Sequence, residues 1–303
     1  MNNAVMNEKD LGRVTSSQRV MQILVKVFLY LFLIVMAIIV LFPFYWMINS
    51  SLKTLSEYNL AIPTFWPKKV MLSNYVDAFH TANLGRLFLN TCYVGVVSTL
   101  LSLVITVLSA FAFARLEFKG KNALFAALLA TMMIPGELFT ITNYQTVAQF
   151  TKNPLVSWMG TGTYGVLIVP FLVSVFYIYL LRQNFMQIPN ELYLAAKVDG
   201  TSDLKYLWKV MIPLSLPTLI SITILKMMGA WNSYIWPRLV ANDEAHKLIT
   251  NGLRGADFTD AAGYTNFPAQ MAAVALVSLP LFLVFVFLRK YIMKGVSRSG
   301  IKG

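Results

Sequence analysis

Long apolar runs alternate with short polar segments along this chain, and six of the runs are long enough to form helices that cross a membrane. A hydrocarbon core of about 30 Å takes about 20 helical residues, and residues 27–48 supply 22 in succession without a charge. The other runs lie within 87–114, 123–145, 164–181, 213–236 and 268–288. The third is interrupted by Pro135, Gly136 and Glu137, so it is expected to kink or end early. The fifth carries one charge, Lys226. The first run exceeds the apolar core of a cleavable signal peptide and reads as a retained anchor.

An even number of spans puts both termini on one side, and the basic residues choose which side. One face collects Lys9, Arg13, Arg19 and Lys26, then Arg115, Lys119 and Lys121, then the 182–212 loop, then the C-terminal tail. That face holds 16 of the 25 Lys and Arg residues, so it is expected to be cytoplasmic. The domain plan is a cytoplasmic arm at 1–20, a transmembrane unit at 21–289 and a cytoplasmic tail at 290–303. The expected fold class is an all-α polytopic membrane protein with six transmembrane helices.

Composition agrees with the pattern. The chain has 57% hydrophobic and 13% charged residues and a mean hydropathy of +0.63, far above the roughly 45–50% apolar content of a soluble domain. The net charge of +12 is explained by basic residues that flank spans and meet anionic lipid headgroups or partner proteins. No recognised nucleic-acid module accompanies it, so nucleic acid is not an expected partner. A single cysteine, Cys92, rules out an intrachain disulfide framework.

The longest cytoplasmic loop has the local chemistry of a helix, a turn and a second helix. Pro189 opens the first helix, with Asn190 and Glu191 where the macrodipole favours acceptors and negative charge. Leu192, Ala195 and Ala196 repeat at helical spacing. Asp199 and Gly200 end the helix, since glycine readily takes the left-handed conformation of a helix terminus. Thr201 or Ser202 can cap the next helix and Asp203 suits its first turn. Leu204, Leu207 and Trp208 then form an apolar stripe between Lys205 and Lys209, and Pro213 and Pro217 mark the passage into the fifth span. Two readings remain open: an ordinary loop with an interfacial helix, or a docking element for a cytoplasmic partner.

The segment IPNELYLAAKVDGTSDLKYLWKVMIPLSLP, residues 188–217, resembles the EAA coupling loop of binding-protein-dependent ABC transporter permeases. Its elements are the pair Ala195 and Ala196, Gly200 four residues later, and the step Ile212-Pro213. The resemblance extends over nearly the whole chain and is closest to the carbohydrate-uptake branch, the maltose-type second permease subunit. FPFYWMINSSLKTLSEY at 42–58, NYVDAF at 74–79, AFAFARLEFKGK at 110–121, MMIPGE at 132–137, GAWNSYIWP at 229–237 and the ending YIMKGVSRSGIKG follow in the family's order. One departure stands out. The family usually has Glu before the Ala pair, paired with a basic residue of the ATPase subunit, and here the position is Leu194. Glu191, one turn back on roughly the same face, is a candidate substitute.

The resemblance implies the ABC importer permease fold and an ATP-driven carbohydrate importer, with an oligosaccharide or related glycoside as substrate. It implies a homologous second permease subunit, two cytoplasmic ATPase subunits that bind ATP and Mg, and an extracytoplasmic sugar-binding protein. Coupling to the ATPases would run through Glu191, Leu194, Ala195, Ala196, Asp199, Gly200, Ile212 and Pro213. Tail contact would involve Ser297, Gly300 and Lys302. The location implied is a bacterial or archaeal cytoplasmic membrane.

The chain carries no chemistry of its own that would power transport. It has no glycine-rich GxxxxGKS or GxxxxGKT loop to cradle ATP phosphates. His80 and His246 are isolated, too few for a metal site, and no cofactor or catalytic residue is expected. Two charges fall within spans, where an ionisable residue is expensive and a functional suspect. Lys226 either faces the translocation path, pairs with an acid of a partner subunit, or reaches a watery cavity. Glu137 either belongs to the path or is simply exposed near the outer end of its span. Tyr45, Trp46, Trp231, Tyr234 and Trp236 gather near outer ends, where interface anchoring is the usual role of such residues and stacking against a sugar face is the rival reading. An ion-coupled secondary sugar transporter is the alternative from another class, with Lys226 and Glu137 as its only support.

Overall fold

In the computed structural model the structure describes residues 16–241, 243–259 and 263–297, of which 16–19 and 290–297 as backbone only. Among these the architecture is helical, and the only β pairing is an isolated bridge between Thr259 and Thr265. Three helices are long and apolar enough to cross a membrane, and three bent helix pairs bring the number to six if each pair counts as one span.

The first helix, α1 (Ser16–Ser51), lies along the last one in the chain. A short helix, α2 (Ser73–Thr81), leads to α3 (Leu84–Arg115). A bent pair follows: α4 (Lys121–Thr131) and α5 (Thr140–Phe150) are turned by 82° at the break that Pro135 and Gly136 were expected to make. The next pair is α6 (Tyr164–Ile168), prolonged by a 3-10 turn to Phe171, and α7 (Val175–Met186), bent by 44°. Then come α8 (Asn190–Val198), α9 (Asp203–Leu214), α10 (Leu216–Asn232), α11 (Ile249–Gly255) and α12 (Phe267–Ser297).

The centre of the molecule is α3, against which α7, α10 and α11 all pack. Its sequence explains the choice. Thr91, Val94, Gly95, Ser98, Thr99, Ser102, Thr106 and Ala110 recur every three or four residues and are all buried. In lipid there is no hydrophobic force between helices, so small side chains that let backbones approach become the packing face. Against them gather one cluster around Phe111, Leu181, Phe185, Leu207 and Met211, toward the C-terminal end of α3, and another around Leu87, Trp231, Ile249 and Ala272, toward its N-terminal end.

Several expectations need adjusting. The fifth span does not begin at Pro213: its helix starts at Leu216, and the preceding α9 turns away by 80°. Pro217 has no N–H for the carbonyl of Pro213, and its ring would clash there, so one straight helix cannot run through both prolines. Helix α1 starts within the supposed arm, at Ser16, and α12 continues past 289 to Ser297. The arm at 1–15 and the tail residues Gly300 and Lys302 lie outside the described residues.

Trp231 and Trp236 are each only 8% exposed, with their ring N–H groups donated to the carbonyls of Val277 (3.3 Å) and Val166 (2.9 Å). They are core residues with a satisfied polar handle rather than interface anchors. His246 has neighbours as well: its Nδ1 lies 2.5 Å from the Asp243 carboxylate and its ring packs on Tyr164.

Candidate functional site

The 188–217 segment forms two helices at one end of the bundle. Pro189 occupies the position before α8, and Gly200 adopts φ +68° beyond its end. The Gly200 N–H donates to the Lys197 carbonyl (3.0 Å) and that of Thr201 to Ala196 (2.8 Å), the paired bonds by which a left-handed residue closes a helix. Ser202 then caps α9, its hydroxyl accepting from the Lys205 N–H.

Three side chains lock the turn. The Asp203 carboxylate accepts from the Tyr193 hydroxyl at 2.7 Å and pairs with the Lys197 ammonium at 2.7 Å, while the Tyr193 and Tyr206 rings pack at 5.2 Å. The Lys197 and Tyr193 hydrogen bonds hold the Asp203 carboxyl below the ordinary aspartate range, despite some burial, and the same partner raises Lys197. Sequence reading placed Asp203 in a first turn but missed this lock. The four-residue spacing of Tyr193 and Lys197, facing an acid across a short turn, was the available signal.

The lock leaves α8 and α9 with distinct inner and outer faces. Tyr206, Leu207 and Met211 are buried, with Ala196, Val210 and Ile212 packed alongside. Removing Leu207 or Met211 from water contributes roughly 1.5–3 kcal/mol each. Facing outward are Glu191, Leu194, Ala195, Val198, Asp199, Leu204 and Trp208. The expected stripe of Leu204, Leu207 and Trp208 is therefore split between the two faces. A π turn at Leu207–Met211 shifts the helical phase, consistent with Pro213 having no N–H to offer Lys209. Of the Ala pair, Ala195 faces out and Ala196 packs inward. Pro213 is exposed and Ile212 half-buried.

Two arginines hold the bundle above this loop. Arg115, in the last turn of α3, donates to the carbonyls of Phe185 (2.9 Å) and Ile188 (2.5 Å); Arg182, on α7, donates back to Phe113 (3.0 Å). Each guanidinium thus satisfies carbonyls at the other helix's C-terminal end, where a cation also meets the negative pole of the macrodipole. Both were counted only as side markers in the sequence.

A cavity of about 350 Å³ lies higher in the bundle, where the α6–α7 break meets α3 and α10. Lys226 is on its wall, half-buried, its ammonium donating to the Phe171 carbonyl left free at the break and sitting 5.7 Å from the Tyr177 ring centre. Glu137 lies elsewhere, exposed in the 3-10 turn Gly136–Phe139 between α4 and α5. The two charges are not brought together. No group of three or more His, Cys, Asp or Glu able to hold a metal occurs among the described residues.

The family model for the binding-protein-dependent transport system inner membrane component matches residues 11–298. Among similar proteins, the arabinooligosaccharides transport system permease protein AraQ of Halalkalibacterium halodurans is 29% identical over 270 residues, 88% of this chain and 93% of that protein. The sn-glycerol-3-phosphate transport system permease protein UgpE of Rhizobium meliloti is 30% identical over 276 residues, 88% of this chain and 94% of that protein. A crystal structure of a bacterial ABC transporter involved in import of the acidic polysaccharide alginate shares the fold at TM-score 0.76 and 22% identity, covering 92% of this chain and 99% of that one. The chain therefore belongs to the binding-protein-dependent transport system inner membrane components, and it is a transport permease of the ABC importer class rather than an enzyme.

Proposed function

We propose that this permease forms half of the translocation path of an ATP-driven importer for oligosaccharides or related glycosides. The similar proteins named for arabinooligosaccharides and diacetylchitobiose support that substrate class. A homologous permease supplies the other half, two ATPase subunits bind below, and a solute-binding protein delivers from above. Both termini and the α8–α9 loop face the cytoplasm.

One observation carries the mechanism: α9, locked to α8, passes through the single residue Ser215 into α10, the helix that bears Lys226 on the cavity wall. A push on the outward face of the loop is delivered through a stiff helical pair to a pathway helix. The exposed Glu191, Leu194, Ala195 and Asp199 contact the ATPase, and closure of the ATPases on ATP biases the permease between two states. Ala196 and Gly200 act by shaping the loop, through close packing and the left-handed turn. Ile212 and Pro213 form its outlet, and Ser297 at the end of α12 leads toward a second ATPase contact. With Leu194 in place of an acid, the apolar surface of Leu194 and Val198 takes a larger share in docking, and Glu191 supplies the charge.

The test is ATP-driven uptake by the reconstituted complex. Gly200→Pro fixes φ near −65° and removes the N–H bonded to Lys197, and it is expected to abolish uptake while the chain still inserts and co-purifies with its partner permease. Normal uptake would overturn the coupling role of the loop.

A further inference from the structure

Lys226 presents a problem that the loop mechanism does not solve. It is a cation inside a span, on the wall of a 350 Å³ cavity, and no carboxylate lies within ion-pair distance among the described residues. An ammonium has three donors. One is used by the Phe171 carbonyl, a neutral partner, and the Tyr177 ring face offers a weak second contact. A charge at membrane depth faces the bundle interior or a watery cavity and pairs with another charge or with backbone carbonyls; the single carbonyl here leaves donors of Lys226 directed at the cavity.

The cavity suits a visitor of opposite sign. Its volume lies in the range of small-molecule sites, and Ser98, Ser174 and Ser233 place polar groups in an otherwise apolar and aromatic wall. Nothing lies within 4 Å of the position a side chain would take at Gly229, so this part of the wall is open. The first turn of α7 begins at Ser174 on the same wall, and its side chain makes no capping bond. The positive end of that helix adds to the field of the ammonium.

We propose that Lys226 and this cavity form a subsite for an anionic group, carboxylate or phosphate, on the solute that the permease carries. The inference rests on the importer reading and deepens it by naming a charge on the substrate. Passage of the solute exchanges the ammonium's hydration for a charge-assisted hydrogen bond to the anion, while the Phe171 carbonyl keeps its own. In the empty path Lys226 stays bonded to the broken span and holds the cavity open.

The test uses the complete complex in liposomes, with trigalacturonate, its neutral counterpart of three galactose units, and glycerol 3-phosphate as probes. Import of a carboxylate or phosphate bearer is expected, and which one it is identifies the group. Lys226→Met should lower that import about tenfold, the worth of one charge-assisted hydrogen bond, while Lys226→Arg retains most of it. Import confined to the neutral sugar, or a Lys226→Met variant that loses neutral and charged solutes equally, overturns the subsite and leaves Lys226 as a pin of the broken helix. Failure to import any probe with ATP would overturn the subsite for carboxylate and phosphate solutes, while the importer class stands on the family match.

Discussion

Helices α1 and α3 look alike as strings and behave oppositely as structures. Each offers 32 residues of span-forming helix, yet none of the most apolar stretch of α1 is buried within the chain, against 44% of that of α3. The more apolar helix is thus the less enclosed one. Between Val27 and Ile48 the first helix has no charge and few small residues, whereas α3 is crossed by Asn90, Thr91, Ser98, Thr99, Ser102 and Thr106, all buried. In a bilayer, hydropathy says that a helix enters lipid, and small polar side chains say which face meets protein.

The largest contrast should come from overpacking. Ala110 is fully buried beside Phe111, Leu181 and Phe185, whereas Ile38 is 61% exposed. Ala110→Phe is expected to destabilise the purified chain by upwards of about 3 kcal/mol, and Ile38→Phe to leave it unchanged. Thermal unfolding in detergent, followed by aggregation, reads both. If Ile38→Phe spares the isolated chain but weakens the complex, then α1 is covered by the partner permease and the comparison sharpens.

A smaller difference should appear where cations meet helix ends. Arg115→Met leaves the Phe185 and Ile188 carbonyls without their donor and should cost about 1–3 kcal/mol, with the α3–α7 contact loosened. Lys26→Met, on an exposed stretch of α1 with no ion pair among the described residues, should cost nothing measurable in the same assay. Equal effects would mean that the arginine clasp is ornamental.

The smallest effect concerns the loop that hangs below α3. Asp203 titrates below its ordinary range because Lys197 and Tyr193 bind its charged form. Its contribution is fully present above the ordinary aspartate range and fades as pH falls through the lowered value. Amide exchange around Gly200 and Thr201 should therefore increase on acidification beyond the intrinsic change. Asp203→Asn should show the looser loop already at neutral pH and lose that dependence.

The helix terminator at Gly200, the cap in the Thr201–Ser202 pair and the break at Pro135-Gly136 were legible because each depends on backbone conformations that few residues adopt. The burial of Trp231 and Trp236 was not, since a tryptophan near a span end reads as an anchor until the carbonyl that satisfies its N–H is known. Nor could Arg115 and Arg182 be distinguished from other basic residues, because their partners are 69 or more positions away in the chain.

For the candidate site, the sequence marked both Lys226 and Glu137 on the same ground, a charge in an apolar run. Only the tertiary structure separated them, placing one on a cavity and the other on an exposed turn. By itself the sequence determined that this chain enters a membrane, that its third apolar run breaks at Pro135-Gly136, which loops are basic, and that a capped helical pair sits before the fifth span. Those properties follow from local hydropathy, backbone conformation and charge order. What packs on α3, how α8 is locked to α9 and which charge faces a cavity depend on contacts beyond any local run of residues, and no local pattern encodes these.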